Sequence, residues 1–226
     1  MKTIHELKKD FITVMNQLSY SRHKWQVWQD FNELAALSIA QSTGFTDDRE
    51  ASYMRVVERY TPEEMQLFPQ LIGITTAALE LQMCDFLGEM FMELELGNKW
   101  KGQFFTPYHL CLLMSELTFD AEPFRDGAVV TFNEPACGGG AMVIAYCETY
   151  LKNGINFQQQ LKVTCQDVDF TAYNMAYIQL SLLGCNATVV HANTLTMEEF
   201  GHVETPIARL FPLRAASDRG DGRKRK

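Results

Sequence analysis

The sequence has 226 residues, 46% of them hydrophobic, and a formal net charge of −8. That is enough apolar material for one large domain or two small ones with a real core. No stretch approaches 18 uninterrupted apolar residues, and the start "MKTIHELKKD" has no apolar run behind its lysines, so neither a membrane span nor a secretory signal is expected and the cytoplasm is the expected location.

The charge is uneven. From Arg209 onward seven basic and two acidic residues give a local balance of +5, leaving −13 for residues 1–208. Nucleic-acid affinity comes mostly from basic contacts, so a DNA-directed role requires a local basic patch or one lent by a partner. Cys84, Cys111, Cys137, Cys147, Cys165 and Cys185 sit in apolar segments and form no C-x-x-C pair. This pattern predicts buried, reduced thiols, with no metal site and no disulfide framework.

Residues 1–100 read as a helical region. Thr3 and Glu6 have capping-box spacing, and Phe11, Val14, Met15 and Leu18 recur at helical intervals. In "TPEE", Thr61 is a predicted N-cap, with Pro62 at the first helical position and Glu64 three residues after the cap. The Leu- and Met-rich run 65–96, which Pro69 and Gly73 interrupt, reads as helix core.

From residue 101 the pattern changes. "AVVTF" (128–132), "LKVTC" (161–165) and "ATVVHA" (187–192) are short and β-branched, as buried parallel strands are. Between them lie two helix-length segments, each closed by a glycine, Gly154 and Gly184. Strand–helix–strand–helix–strand predicts an α/β, doubly wound, Rossmann-like sheet over residues 101–212. Residues 213–226 read as a basic, disordered tail.

In such a sheet ligands sit outside the carboxyl ends of the strands, and "FNEPACGGGAM" (132–142) is the exit loop of the first one. Glycines there let backbone N–H groups approach a ligand while the next helix presents its positive end. "NEPACGGG" resembles the cofactor loop of S-adenosylmethionine-dependent N6-adenine DNA methyltransferases, an acidic residue followed by Pro-Ala-Cys-Gly-Ser-Gly. Glu134 takes the acidic place and Gly139 replaces the serine. "GQFFTP" (102–107) resembles the element that precedes the sheet in the methylation subunits of type I restriction-modification systems. There Thr106 can cap a helix begun by Pro107 and aim hydroxyl and N–H groups at an anion. "CQDVDF" ends the second strand with an acid placed to accept from both ribose hydroxyls, and the family spacing points to Asp167 rather than Asp169. The resemblance covers about residues 80–200.

It implies S-adenosyl-L-methionine as cofactor, with Gln103, Phe105, Thr106, Glu134, Ala136, Gly138, Gly140, Asp167, Val168 and Asn193 as its binding residues. Thr106 would close over the methionine carboxylate, Val168 would contact the adenine, and Asn193 can bond the adenine amino group or a nearby backbone. It also implies DNA as substrate, reached through a partner specificity subunit, and N6-adenine methylation as the family activity.

The family's catalytic tetrapeptide, Asn or Asp followed by Pro-Pro and an aromatic residue, is not found: the chain has seven prolines and no Pro-Pro. The motif's polar side chain and proline carbonyl hold the adenine amino group while the aromatic stacks on the flipped base. "HVETPIARLF" (202–211) lies where a fourth strand and this motif would fall, so Glu204 is the one acceptor in reach, with nothing to stack beside it. Three readings follow: a methyltransferase with unorthodox or borrowed catalytic residues, a catalytically silent cofactor-binding regulatory or assembly subunit, and a nicotinamide-dependent Rossmann enzyme. The absence of G-x-G-x-x-G disfavours the last. The sequence ends before the remaining strands of the family's sheet, which predicts a shortened sheet with the first strand bare on one edge. That edge calls for a homodimer or hetero-complex, unless "ARLFPLR", broken by Pro212, or the N-terminal helices cover it.

Overall fold

The computed structural model describes residues 2–94, 96 and 105–214. The predicted tail from residue 215 onward, and Gln103, lie outside the described residues. Six helices come first: α1 (Ile4–Leu18), α2 (Lys24–Thr43), α3 (Asp47–Val57), α4 (Pro62–Met65), α5 (Phe68–Leu81) and α6 (Phe86–Glu93). Thr3 and Thr61 each form a reciprocal capping box, with Glu6 and Glu64 returning to the cap backbone. Each box satisfies two N–H groups that a helix start would leave without partners. The run 65–96 differs from its reading at Gly73. Pro69 lies in the first turn of α5, where its missing N–H costs nothing, and Gly73 is inside that helix. One break falls at residues 66–67, just before Pro69, and a second after Leu81, before Asp85 caps α6.

Helix α7 (Tyr108–Leu117) leads into the sheet: β1 (Val130–Glu134), α8 (Ala141–Lys152), α9 (Phe157–Gln160), β2 (Leu161–Asp167), α10 (Phe170–Leu182), β3 (Asn186–Asn193), β4 (Glu198–Glu204) and α11 (Pro206–Leu210). Strand order is β1-β2-β3-β4, with the first three parallel and β4 antiparallel to β3. Gly154 and Gly184 follow α8 and α10 at φ of 77° and 68°, the left-handed geometry that stops a helix.

The strands are buried on one face only, which corrects the expectation of fully buried parallel strands. Along β2, Leu161, Val163 and Cys165 are buried while Thr164 is exposed; along β1, Thr131 and Asn133 are exposed. A period of two puts these sets on opposite faces. The apolar face carries the helices: α10 packs against β2 and β3, and α2 packs on α10 from the other side. Enclosed between sheet and bundle, α10 is buried on almost every residue from Thr171 to Leu180.

One apolar core runs through both regions, from Leu7 and Phe11 to Val163 and Val189. Phe11 is fully buried at its centre, with edge-on contacts to Trp28, Phe31 and Phe86 at 6.1, 5.7 and 5.5 Å between ring centroids. Such pairs add about 0.5–1.5 kcal/mol each beyond area burial. The buried Asp30 carboxylate is satisfied by Arg59 Nη1 and Tyr60 Oη, each at 2.6 Å, and by Gln26 Nε2 at 2.9 Å. All six cysteines are buried and unbridged. Among the described residues no helix is long and apolar enough to cross a membrane.

Among the described residues β1 pairs with β2 alone. "ARLFPLR" does not cover its other edge: residues 206–210 are helical and pack on α2 and β3 instead.

Candidate functional site

The parallel strands β1 and β2 end side by side, with Glu134 opposite Cys165 in register. Beyond their carboxyl ends lies a cavity of about 290 Å³, lined by Phe105, Thr106, Cys111, Glu134, Ala136, Cys137, Gly138, Gly139, Ala141, Met142, Asp167 and Ala172. Five of the ten residues named from the resemblance, Phe105, Thr106, Glu134, Ala136 and Gly138, thus meet at one place, and Asp167 joins them as a sixth. Cys111, Ala141, Met142 and Ala172 come from helices whose apolar residues carried no signal beyond core packing.

Residues 134–140 form a turn tied to β2 at two points. Cys137 N donates to Gln166 O at 2.9 Å, and Gly138 N donates to Asp167 Oδ2 at 2.9 Å. Asp167 Oδ1 accepts from Asp169 N at 2.9 Å. Each carboxylate oxygen therefore holds one backbone donor, and a carboxylate has about four acceptor positions, so two remain for a ligand's hydroxyls. Asp169 is committed elsewhere: its side chain caps α10 by accepting from Ala172 N. Glu134 Oε1 accepts from Ala136 N at 3.1 Å, which folds the chain back at the cavity's rim.

Two of the glycines explain why the loop tolerates no side chain. Gly138 has φ of 54°, and a Cβ there would meet the Phe105 ring at 2.9 Å. Gly139 has ordinary φ, but its Cβ would lie 3.2 Å from Asp85 Oδ1 and from Met175 Cε. The loop is thus pressed between the Phe105 ring and buried groups behind it. Gly140 is the N-cap of α8 and does not line the cavity; with no side-chain cap on α8, the N–H groups of the helix's first turn stay at its positive end.

Thr106 lines the cavity but does not cap the helix. α7 begins at Tyr108 with Pro107 at its N-cap and no side-chain cap bond, because Pro107 has extended ψ (133°) and cannot be the first helical residue. Val168 is 56% exposed beside the cavity, and its carbonyl meets His191 Nε2 at 3.1 Å. Asn193 takes the second of its two alternatives: Oδ1 accepts from Leu195 N and Thr196 N at 3.0 and 3.2 Å, closing the β3–β4 turn.

Glu204 is far from this cavity. Because β4 is antiparallel, Glu204 pairs with Thr188 at the start of β3, whereas Asn193 at its end pairs with Glu198. Five residues of strand separate the two ends by about 16 Å. Thr205 is buried beyond it, donating to Cys185 O at 2.7 Å and accepting from Ala187 N at 3.1 Å. The expected substitute acceptor is therefore misplaced, since the strand carrying it runs opposite to the direction that would bring it to the cavity.

The lining is acidic, with Glu134 and Asp167 and no lysine or arginine among the described residues. Burial pushes the Cys111 thiol up to about 11, so it stays protonated at neutral pH. Cys137 is raised as well, by its hydrogen bond with Cys165 and by burial. Neither thiol is poised as a nucleophile. His191, in register with Asp167, belongs to an aromatic cluster outside the cavity lining: Phe170, His191 and Phe200 have successive centroid separations of 5.4 and 4.9 Å, and the two phenylalanines are about half exposed.

The sequence model of the family described as N-6 DNA Methylase matches residues 85–208, more than half of the chain. The chain belongs to the N-6 DNA methylase family. The match contains every described cavity residue and begins at Asp85, inside the helical region. No curated protein matches. Among solved structures, similarity is found to a class I S-adenosylmethionine-dependent methyltransferase from Listeria monocytogenes, at 14% identity and a TM-score of 0.46, covering 84% of this chain and 54% of that one. It is also found to the methyltransferase subunit of a type I restriction-modification system from Streptococcus thermophilus, at 17% identity and a TM-score of 0.39, covering 84% and 44%. The chain spans about half the length of these two structures.

Proposed function

We propose that the chain binds S-adenosyl-L-methionine in the cavity at the ends of β1 and β2, as part of a restriction-modification system that methylates adenine N6 in DNA. The observation that carries this reading is the meeting of Glu134, the Gly138 turn, the start of α8 and Asp167 around one cavity, within a chain of the N-6 DNA methylase family. The donor set suits this cofactor. Asp167 has acceptor positions left for two ribose hydroxyls, the acidic lining suits a cationic sulfonium and ammonium, and the first turn of α8 suits a carboxylate. Phe105 and Thr106 wall off that side from water, and Val168 offers an apolar surface to the adenine. When bound, the cofactor supplies an electrophilic methyl group.

The second reading, a cofactor-binding subunit that is silent on its own, is favoured by one observation: Glu204 lies at the opposite end of the sheet from the cavity. We therefore infer weak methyl transfer by the chain alone, with the adenine amino group held by a companion segment docked beside β1. DNA is reached through a partner specificity subunit, in the cytoplasm. Transfer of tritiated methyl from the cofactor to adenine-containing DNA separates the two readings. Robust turnover by the purified chain would contradict the inference of borrowed catalysis.

A further inference from the structure

Gln179 is fully buried on α10, and its amide makes three hydrogen bonds, one to the cavity's loop and two to the start of α6. Nε2 donates to Gly139 O at 2.8 Å and to Asp85 Oδ1 at 2.7 Å, while Oε1 accepts from Leu87 N at 3.0 Å. Asp85 Oδ1 also accepts from Gly88 N at 3.0 Å, as the N-cap of α6. Both amide hydrogens are thus used, one on the cavity's loop and one on a carboxylate of the helical region. Neither side chain lines the cavity at the ends of β1 and β2.

We propose that Gln179 and Asp85 are positioning residues for the cofactor loop: Gln179 holds the Gly139 carbonyl away from the cavity, Asp85 holds Gln179, and the helical region thereby sets the loop's geometry. Three observations converge on this. Gly138 sits at positive φ and is clamped from the front by the Phe105 ring, so the peptide behind it must be fixed from the other side. A Cβ on Gly139 would meet Asp85 Oδ1 at 3.2 Å, so loop and carboxylate are in near contact. A buried carboxylate is costly unless its hydrogen bonds are met, and here they are met by Gly88 N within α6 and by Gln179, which also holds the loop.

The inference rests on the proposed cofactor site, and its test separates the two. Gln179→Glu keeps the acceptor for Leu87 N–H but, when ionised, offers no hydrogen to Gly139 O or to Asp85, whose carboxylate it then faces and whose repulsion raises the introduced carboxyl. Asp85→Asn keeps an acceptor for Gln179 and serves as the control. Amide hydrogen exchange of residues 136–140 is measured in the unliganded proteins, and S-adenosylhomocysteine is titrated calorimetrically between pH 5 and 8. Expected for Gln179→Glu are loop exchange at least tenfold faster with β2 and β3 unchanged, and roughly tenfold weaker affinity at pH 8 that recovers as the introduced carboxyl is protonated. Asp85→Asn should stay within twofold of the parent in both readouts. Loop exchange equal to the parent's in Gln179→Glu overturns the positioning role. If the parent does not bind the probe, the cofactor reading falls and the exchange data alone decide the positioning.

Discussion

Asp167 connects the two strand ends before any ligand arrives, since one of its oxygens holds Gly138 N–H and the other Asp169 N–H. Asp167→Ala would remove the acceptor for the ribose hydroxyls and release the glycine turn together. A charge-assisted hydrogen bond is worth about 1.5–3 kcal/mol, so the expected loss of cofactor affinity is roughly tenfold to a hundredfold. Calorimetric titration of the variant measures it, and parental affinity would remove Asp167 from the ribose role. Asp85 carries the clearest pH dependence. Burial raises its carboxyl above the usual range, against the hydrogen bonds from Gln179 and Gly88 that lower it. The folded state then binds this proton more tightly than the unfolded chain does, so its contribution is fully present below the unfolded value of about 4 and is lost as pH rises through the folded one. Asp85→Asn should melt close to the parent at acid pH and gain on it as pH rises toward 8. A constant difference in melting temperature across that range would contradict the assignment. The placement of Glu134 and Asp167 at the strand ends could be read from the sequence because each stands in a short, ordered motif. Gln179 and Asp85 could not, because 94 residues separate them and only the packing of α10 against α6 brings them together. An acid between Cys84 and Phe86 in the run "MCDFLGEM" was the signal available.

The two edges of the sheet are built differently. β4 carries Glu198, Glu199 and Glu204 and has a register shift opposite His191 and Ala192, features that discourage pairing with another strand. β1 has no charge before Glu134, and its outer edge has no strand partner among the described residues. Beside it, Tyr146 of α8 touches the Phe132 ring and pairs its hydroxyl with Thr118 at the end of α7. On α7, Leu110, Leu113, Met114 and Leu117 are 44–77% exposed at spacings of three and four, an apolar stripe facing solvent. The proposed companion segment would dock on this edge and stripe. Leu113→Glu combined with Leu117→Glu should change stability by less than about 0.5 kcal/mol, as exposed substitutions do, while shifting associated protein to monomer in light scattering. Unchanged association would place the interface elsewhere. The parallel strands were legible from their β-branched runs, within two residues at β1. Their open face was missed because the alternation of polar with apolar residues is short along β1 and β2 and absent from β3, where Val189 and Val190 are adjacent.

At the scale of the molecule, one apolar core runs from Phe11 to Val189, through both of the regions that the sequence suggests. The change of pattern near residue 100 is a change of secondary structure, and periodicity reports the element rather than what it packs against. The direction of β4 was illegible for a related reason: a short turn at Asn193 reverses the chain, and this decides that Glu204 lies away from the cavity. If the core is one unit, damage in the bundle must reach the sheet. Phe11→Ala should cost about 3–5 kcal/mol, and helix and sheet probes should report the same denaturation midpoint in parent and variant. Separate midpoints would mean two units that unfold independently. The central claim is that the cavity at the ends of β1 and β2 holds S-adenosyl-L-methionine. Calorimetric titration of the parent chain, first with that cofactor and then with nicotinamide dinucleotide, tests it most directly. The account predicts saturable one-to-one binding of the first, abolished or strongly weakened by Asp167→Ala, and none of the second. Binding of the nicotinamide dinucleotide, or no heat with either, would contradict it.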